Sequence, residues 1–375
     1  MEPYEPVVNY LIDPNNGLKQ LLTDFLNLVM KYEAYAQSGV APYERSDQRK
    51  AHRNGIRKRS LKTRFGELSL DKPQFREIPF ETKVFERYSR VEQALLMAIA
   101  ESYIQGVSTR RMEEIVKNFG LDRLSSSEVS RICEILDEKV DEFLKRPIET
   151  KIRYLFVDAS YFKVRYGAQY KTRALLIVTG IRDDGCREIL GARIAESEDS
   201  GFWIGLFRDL KERGLEGVEM VISDAHKGIQ KAVESSFLGA SWQICHVHFE
   251  RAVLDSISKK DKQEIADKLR DAYDDEMKMQ SLAVELRDRG YSSAAETIDR
   301  FRFDLWNYKA FPIAHWKRIR TTNSLERINK ELKRRSRPVG AFPSDKSLMR
   351  LMGCILININ EEWVTGKTYL SMDEE

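Results

Sequence analysis

The sequence has few cysteines and no long apolar run, and both shortages limit the kind of protein it can be. Its 375 residues include four scattered cysteines, which give no disulfide framework. The longest apolar runs, around 94–100 and 355–357, fall far short of the roughly 20 residues that cross a bilayer. The N-terminal MEPYEPVVNYL carries acids where a signal peptide has basic residues. These features predict a soluble, cytoplasmic protein without membrane association.

The net charge is small, but the basic residues are concentrated in two short segments. The formal charge is +3, yet residues 49–64 carry eight Lys and Arg and no acid, and residues 317–337 carry nine against two acids. With +8 in the first segment and +7 in the second, the remainder of the chain has a net charge of −12. Such compact basic segments are typical of nucleic-acid binding. A solvated charged surface, the alternative, usually mixes the two signs.

The N-terminal half is predicted to be mostly helical with one hairpin. Residues 8–36 show the pattern of one or two amphipathic helices, and SLKTRFGELSLDKPQF alternates around Gly66 like a short hairpin. From 91 to 145 the pattern is helical, with a break at Gly120. Two helices joined by a short turn resemble a helix-turn-helix, whose second helix would enter a DNA groove. Many helix pairs merely pack together, and that alternative stays open.

The pattern changes at Lys151. Three strand-like runs follow in succession, and after them helix and strand alternate through VEMVISD and SWQIC. A meander followed by alternating helix and strand predicts a mixed sheet with helices on its faces. From 249 to 316 the pattern is helical again, and a basic helix and a final amphipathic helix end the sequence.

Two aspartates stand where predicted apolar strands end. Asp158 interrupts YLFVD and Asp224 ends VISD. A buried carboxylate is costly unless it is capped, paired or bound to a metal. Asp224 could instead cap the next helix, and Asp158 could be a turn aspartate. Together with a later acid, Glu326, they form a set of hard oxygen ligands suited to two Mg²⁺ ions and in-line phosphoryl transfer.

Glu326 lies near the start of the basic helix in RTTNSLERINKELKRRSRPVG. One interpretation is a capping box, in which Asn323 caps the helix and Glu326 returns a hydrogen bond from its third position. The other is a metal ligand: the apolar stripe Leu325, Ile328 and Leu332 would dock the helix on the sheet and leave Glu326 facing the aspartates. We favour the second, because it also explains the arginines, which could follow a phosphate backbone.

Several blocks of the sequence resemble a known family. DASYFKVR, SDAHKGIQKAV, CHVHFER and RTTNSLERINKELKRRSRPVGAFPS are similar to the signature blocks of bacterial insertion-sequence transposases of the Mutator superfamily, as are RNGIRKRSLKTRFGEL and YIQGVSTRRMEEI. The resemblance runs from about residue 50 to Trp363. It implies an α/β fold: a ribonuclease-H-like mixed-sheet catalytic core with an all-helical insertion domain and a helical N-terminal DNA-binding region. It also implies a DDE triad of Asp158, Asp224 and Glu326.

The implied organisation has five segments. They are an N-terminal helical segment at 1–48, a basic and helix-turn-helix-like DNA-binding region at 49–150, the first part of the core at 151–248, the helical insertion domain at 249–316, and the completion of the core with the Glu-bearing and C-terminal helices at 317–375.

The implied activity is that of a DNA transposase. It would bind the terminal inverted repeats of its element and catalyse metal-dependent strand cleavage and strand transfer with two Mg²⁺ ions, which Mn²⁺ could replace. Its partners would be double-stranded DNA, both repeats and target, and a second copy of itself in a homodimer or larger homo-oligomer at the bacterial nucleoid. The alternatives are a ribonuclease-H-like nuclease or resolvase without strand transfer, and a domesticated DNA-binding regulator.

The candidate site residues follow from these arguments. Asp158, Asp224 and Glu326 are the candidate catalytic residues and metal ligands. Cys245 and His248 match a C/D-x-x-H element of the family and are expected beside the active site; a zinc site is weakly indicated, because no second pair follows. The candidate DNA contacts are Arg53, Arg57, Lys58, Arg59, Lys62, Arg64, Arg110, Arg111, Arg131, Arg320, Arg327, Lys330, Arg334, Arg335 and Arg337.

Overall fold

The computed structural model describes residues 14–40, 44, 49–63, 66–82, 84, 99–100, 126–337 and 339–372. The chain divides into two compact units, Met1–Leu136 and Asp137–Glu375. The first predicted helix of the helix-turn-helix and the candidate DNA contacts Arg64, Arg110 and Arg111 lie outside the described residues. In the described ranges, no helix combines the length and the apolar character that crossing a membrane requires.

The first unit contains a long helix and the predicted hairpin. Helix α1 spans Pro14–Ser38, and strands β1 (Arg53–Thr63) and β2 (Gly66–Phe75) pair antiparallel, with Thr63 opposite Gly66. The positive φ of Gly66, 97°, explains a glycine at this turn. The hairpin is longer than predicted, because the basic segment from Arg53 onward is itself a strand. Its buried face packs with α1 around Met30, Leu61, Leu68 and Leu70.

The second unit is built on a mixed five-stranded sheet, as predicted. The strands are β3 (Ile152–Tyr166), β4 (Gln169–Arg182), β5 (Arg187–Ala195), β6 (Met220–Ser223) and β7 (Ser241–Ile244). Their order in the sheet is β5-β4-β3-β6-β7. Strands β3, β4 and β5 form an antiparallel meander, while β6 and β7 add parallel to the other edge of β3.

Ten further α-helices lie in the described part of the chain from 126 onward. They are α2 (Ser126–Lys145), α3 (Ser200–Glu212), α4 (Lys227–Ser236), α5 (His246–Asp255), α6 (Lys262–Ala272), α7 (Glu276–Asp288), α8 (Ser292–Phe301), α9 (Ile313–Ile319), α10 (Asn323–Ser336) and α11 (Asp345–Val364), with 3₁₀ turns at Arg302–Asp304 and Asn307–Ala310. The predicted helical content of 249–316 is present, although α5 already starts at His246. The division into five segments stays a prediction.

Alternating side chains of β3 enter two cores on opposite faces of the sheet. Leu155 and Val157 lie in the core that also contains α3, α4 and the helices after β7. Tyr154 and Phe156 lie in the core formed with α10 and α11. This period-two alternation follows from strand geometry. It fixes which face each later residue of β3 occupies.

The basic helix is anchored on the sheet by the predicted apolar stripe. Leu325, Ile328 and Leu332 are at most 1% exposed and belong to the core of the second face. Each such side chain contributes about 1.5–3 kcal/mol when fully buried. The stripe therefore holds α10 firmly against β3, with its polar residues at the flanks.

Candidate active site

Asp158 is a buried carboxylate in the middle of strand β3, which continues to Tyr166. The prediction that the apolar strand ends at Asp158 is therefore wrong, as is the alternative of a turn aspartate, because β3 stays paired with β4 on both sides of this residue. Asp158 follows Phe156 by two residues and so lies on the face that α10 covers, where it is 8% exposed. Its Oδ2 accepts a hydrogen bond of 2.7 Å from Nδ2 of Asn329, and its Oδ1 accepts one of 2.8 Å from the backbone N–H of Ala159. Burial, and then the nearby charge of Asp224, raise the pKa of Asp158 to about 6. The two hydrogen bonds to Asp158 therefore compensate only in part for the burial of its negative charge.

Asp224 directly follows strand β6, the parallel neighbour of β3. Phe156 pairs with Ile222 in the β3–β6 ladder, and Asp158 and Asp224 each come two residues after this pair. The charge of Asp224 is close enough to help raise the pKa of Asp158. Asp224 is not the N-cap of α4: that position is His226, whose Nδ1 accepts from the N–H of Gly228. The carboxylate instead accepts a 3.2 Å hydrogen bond from the backbone N–H of His226. The capping alternative is therefore wrong.

Glu326 is the fourth residue of α10 and does not form the capping box. The N-cap is Thr322 rather than Asn323, and at this described helix start no side chain makes a capping hydrogen bond. Within the described residues Glu326 forms an ion pair with Arg251, at 3.7 Å between Oε1 and a guanidinium nitrogen, and both side chains are partly exposed. The carboxylate is thus left available for another partner.

Glu326 shares one face of α10 with two residues that contact the strands, Thr322 and Asn329. At about 100° per residue, Thr322, Glu326 and Asn329 lie within roughly 60° of one another around the helix axis. Asn329 contacts Asp158, and Thr322 contacts Cys245 beyond the end of β7. Glu326 stands between them on the same face. Nevertheless, in the described ranges no three His, Cys, Asp or Glu side chains are arranged to hold a metal ion. The structure pairs the aspartates and places Glu326 on the adjacent helix.

Cys245 and His248 lie where β7 meets α5. Thr322 donates to Sγ of Cys245 from both its backbone N and its Oγ1, each at 3.3 Å, and its Oγ1 is 3.4 Å from Nδ1 of His248. The interaction with Cys245 raises the pKa of His248 to about 9, helped by Asp158 and Asp224. Burial alone would raise the pKa of the Cys245 thiol, but His248 and Thr322 outweigh it and lower that pKa. The two residues are therefore neighbours of the paired aspartates.

Two polar residues of the site were missed from the sequence. Asn329 bridges Asp158 and Ser160, whose Oγ donates to its Oδ1 at 2.7 Å. Glu198 is 6% exposed, and burial, followed by the charge of Asp224, raises its pKa. The position of Asn329, one turn after Glu326, was a usable signal. The acidic loop that contains Glu198 gave no such signal in the sequence, because Glu198 comes near Asp224 only in the folded protein.

Four predicted basic residues on α10 or at its C-cap are exposed: Arg327, Lys330, Arg334 and Arg337. Arg334 and the half-buried Arg335 bind Glu331, at 2.6 Å and 2.9 Å to the same oxygen, Oε1. Arg334 and then Arg335 lower the pKa of Glu331 to about 2 despite its partial burial.

The predicted contacts on the hairpin also differ in exposure. Arg57 and Lys58 are exposed on β1, and Lys58 forms a 2.7 Å ion pair with Asp71 across the strands. Arg53 donates to the backbone carbonyl of Val40 at 3.1 Å and so ties β1 to the end of α1. Arg59 and Lys62 of the hairpin are half-buried, as are two candidate DNA contacts elsewhere in the described chain, Arg131 and Arg320.

The aromatic side chains around α9 pack against the core of the second unit. Tyr308 is 1% exposed, and the indole N–H groups of Trp306 and Trp316 donate to backbone carbonyls at 2.6 Å and 2.7 Å.

The fold and the site define a mixed α/β protein with paired carboxylates beside a basic helix. The family model for transposases of the Mutator family matches residues 7–366. The chain is 35% identical to the transposase for insertion sequence element IS256 in transposon Tn4001 from Staphylococcus aureus, across 100% of this chain and 97% of that protein. It is 36% identical to the transposase for element IS1081 from Mycobacterium tuberculosis, across 95% of this chain and 88% of that protein.

The chain therefore belongs to the Mutator family of transposases, which confirms the resemblance and the predicted function as a transposase. Among solved structures, it is similar to the Drosophila P element transposase strand transfer complex, with 15% identity over 76% of this chain and 84% of that one. The TM-score of 0.33 is too low to assign a fold.

Proposed function

We propose that this protein is a DDE transposase that binds the terminal inverted repeats of its insertion sequence and catalyses both strand cleavage and strand transfer. The observation that carries the proposal is the placement of three acids. Asp158 lies in β3 beside the end of β6, Asp224 follows β6 directly, and the helix that covers this face of β3 carries Glu326. The names of its relatives, transposases of insertion sequences, support the proposed activity on DNA.

We infer a ribonuclease-H-like core from the topology of the sheet. An antiparallel meander of three strands, with two parallel strands added beside its first strand, supports this assignment. In this mixed sheet Asp158, in the middle of β3, lies beside the end of β6, and Asp224 follows that strand end directly. The helices from α5 to α9 then correspond to an insertion between the second aspartate and Glu326.

The donor set fits a divalent cation with a preference for oxygen ligands. The charge of Asp224 helps raise the pKa of Asp158, and a bound cation would relieve that repulsion. Carboxylate oxygens are the ligands Mg²⁺ prefers, and Mn²⁺ can replace it. Within the described residues the ion pair of Glu326 is its 3.7 Å contact with the exposed Arg251, which would leave its side chain able to turn toward the aspartates. We propose these three residues as the ligands.

Two Mg²⁺ ions bound there would activate the attacking oxygen and stabilise the leaving one. The protein's own residues hold the ligands in place: Asn329 and the N–H of Ala159 fix the carboxylate of Asp158. In cleavage, a water oxygen bonds to the scissile phosphorus and the bond to the 3′ oxygen breaks, leaving a 3′-OH on the element. In transfer, that 3′-OH attacks a target phosphodiester and displaces its 3′ oxygen. No protein nucleophile is required.

The exposed basic residues would hold the DNA backbone. Arg327 and Lys330 adjoin Glu326 on α10, and Arg57 and Lys58 lie on the basic hairpin. Phosphate contacts of this kind supply salt-dependent affinity and position the duplex without reading its sequence. We further propose that the protein acts in the bacterial cytoplasm at the nucleoid, as a homodimer or larger homo-oligomer, since two element ends must be held together.

Cleavage and joining of the element's own end test the proposal. A labelled duplex of that end is incubated with a plasmid target and Mg²⁺, using wild type, Asp224→Asn and, as control, Asp183→Asn in an exposed turn. Wild type and the control are expected to nick the end and join it to the plasmid, while Asp224→Asn binds the end without cutting it. Cutting without joining would indicate a nuclease, and binding without cutting by wild type a DNA-binding regulator.

A further inference from the structure

The helix that carries Glu326 starts without a local cap. The first turn of a helix leaves backbone N–H groups without partners inside the helix, and a Ser, Thr, Asn or Asp side chain usually accepts from them. Thr322 occupies the N-cap of α10, yet within this described segment its hydroxyl caps no N–H of its own helix. Both the N–H and the Oγ1 of Thr322 donate to the sulfur of Cys245 instead, each at 3.3 Å.

Cys245 is fixed at the strand end that precedes Asp224. Its backbone N–H donates at 2.7 Å to the carbonyl of Ser223, the last residue of β6. The side chain is 1% exposed, so the sulfur is enclosed between this strand end and α10. Cys245 therefore touches the strand of one candidate ligand through its backbone and the helix of another through its side chain.

The neighbouring residues reinforce the same connection. The N–H of His246 donates at 3.0 Å to the carbonyl of Arg320, two residues before Thr322. Nδ1 of His248 lies 3.4 Å from Oγ1 of Thr322. His246 is itself immobilised, since its ring stacks on Tyr273 at 4.5 Å and its Nε2 bonds the carbonyl of Leu305 at 2.9 Å.

We propose that Cys245 is a positioning residue for the reaction: its sulfur holds the N-terminus of α10 against the end of β6 and so sets the distance between Glu326 and the two aspartates. The proposal rests on the proposed function, because Glu326 matters only if it acts with them. Negative charge on the sulfur would add to the effect, since helix N-termini attract anions. This role differs from zinc binding. In the described ranges, no further His, Cys, Asp or Glu joins Cys245 and His248 to form a metal site.

Hydrogen exchange of α10 tests the contact without reference to activity. The test variant is Cys245→Ala, and the control is Cys354→Ala, which removes the same group from an equally buried position on α11. We expect amides 322–327 to exchange about tenfold faster in Cys245→Ala, because two hydrogen bonds to the sulfur, a weak acceptor, are lost together. The control should leave that segment unchanged. Equal exchange in wild type and Cys245→Ala, or equal acceleration in the control, would overturn the proposal.

Two further variants protect the test against general misfolding. Thr322→Val keeps the shape and the N–H but deletes the hydroxyl donor, and Cys245→Ser keeps an acceptor. Exchange in Thr322→Val should rise less than in Cys245→Ala, and the double variant should exchange no faster than Cys245→Ala alone. Cys245→Ser should restore part of the protection. Additive effects of the two substitutions would mean that the residues act separately, contrary to the proposal.

End cleavage as a function of Mg²⁺ concentration provides the functional arm. Cys245→Ala should need about tenfold more Mg²⁺ for half-maximal cleavage, because the same two hydrogen bonds are lost. Its affinity for the element end should be unchanged. A purely structural cysteine would lower thermal stability and leave the Mg²⁺ dependence as in wild type. If wild type itself cuts no DNA but exchange responds as expected, the proposed function fails while the contact stands.

Discussion

Nδ2 of Asn329 donates a 2.7 Å hydrogen bond to Oδ2 of Asp158, and this bond joins the helix of one candidate ligand to the strand of another. Oδ1 of the same amide accepts from Ser160 at 2.7 Å, so the amide orientation is fixed by a donor on one side and an acceptor on the other. An amide here can orient Asp158 without adding charge to the paired aspartates.

Replacing Asn329 by Ala should weaken both stability and cleavage. The variant removes two hydrogen bonds, one to a carboxylate, at a cost of about 1–3 kcal/mol in the free energy of unfolding. Urea denaturation and end-cleavage assays measure the two effects. Asn360→Ala is the matched control, because that amide bonds the N–H of Ile189 away from the aspartates. Equal loss of cleavage in both variants would show that Asn329 has no specific role.

The metal-free protein should lose stability as Asp158 ionises. Its pKa is raised from 3.8 to about 6 in the folded state, so its contribution to stability is complete below pH 3.8 and is lost as pH rises through about 6. The loss between pH 4 and pH 7.5 is up to about 3 kcal/mol. Urea denaturation with chelator present measures it in wild type and in Asp158→Asn, which lacks the ionisable group. The same pH dependence in both proteins would contradict the assigned pKa.

Mg²⁺ should reverse that loss at neutral pH. A ligand that binds only the folded protein stabilises it by about 2.7 kcal/mol at a hundredfold excess over its Kd. The expected result is a rise in the Tm of wild type with Mg²⁺ at pH 7.5, and no rise in Asp158→Asn. A rise of equal size in both would place the bound ion elsewhere on the protein.

Glu331 restrains two arginines that could otherwise contact DNA. Glu331→Gln removes the ion pairs of Glu331 with Arg334 and Arg335, and affinity for DNA should increase with a steeper salt dependence. The slope of log Kd against log salt should grow by about one unit for each added phosphate contact. Fluorescence anisotropy over a range of salt measures it, with the exposed Glu212→Gln as control. An unchanged slope would mean that these arginines lie away from the DNA.

The sequence was sufficient to predict the mixed sheet, the strand that ends before Asp224 and the docking of the basic helix, but it placed a strand end at Asp158, where β3 continues. Apolar runs and apolar stripes are local patterns, and VISD and the stripe around Ile328 are each defined by a few neighbouring residues. Their meeting on one face also follows from local rules, because strand alternation and parallel register determine it.

The contacts between segments could not be predicted in the same way. The capping box at Asn323 was a sound local pattern, but the sulfur of Cys245 is the partner of the N-cap residue and comes from a point 77 residues earlier. Glu198 likewise reaches Asp224 from a loop whose sequence resembles any acidic turn. Such partners depend on tertiary packing, which a short window of sequence does not contain.

The most direct test of the account is end cleavage by Glu326→Gln, a change that keeps the shape of the side chain and removes its charge. Glu362→Gln, an exposed acid on α11, is the control. The account predicts that Glu326→Gln binds the element end and unfolds like wild type but cuts at least about a hundredfold more slowly, the scale of losing a positioned catalytic group. Normal cutting by this variant would show that Glu326 is no metal ligand and would contradict the proposed triad.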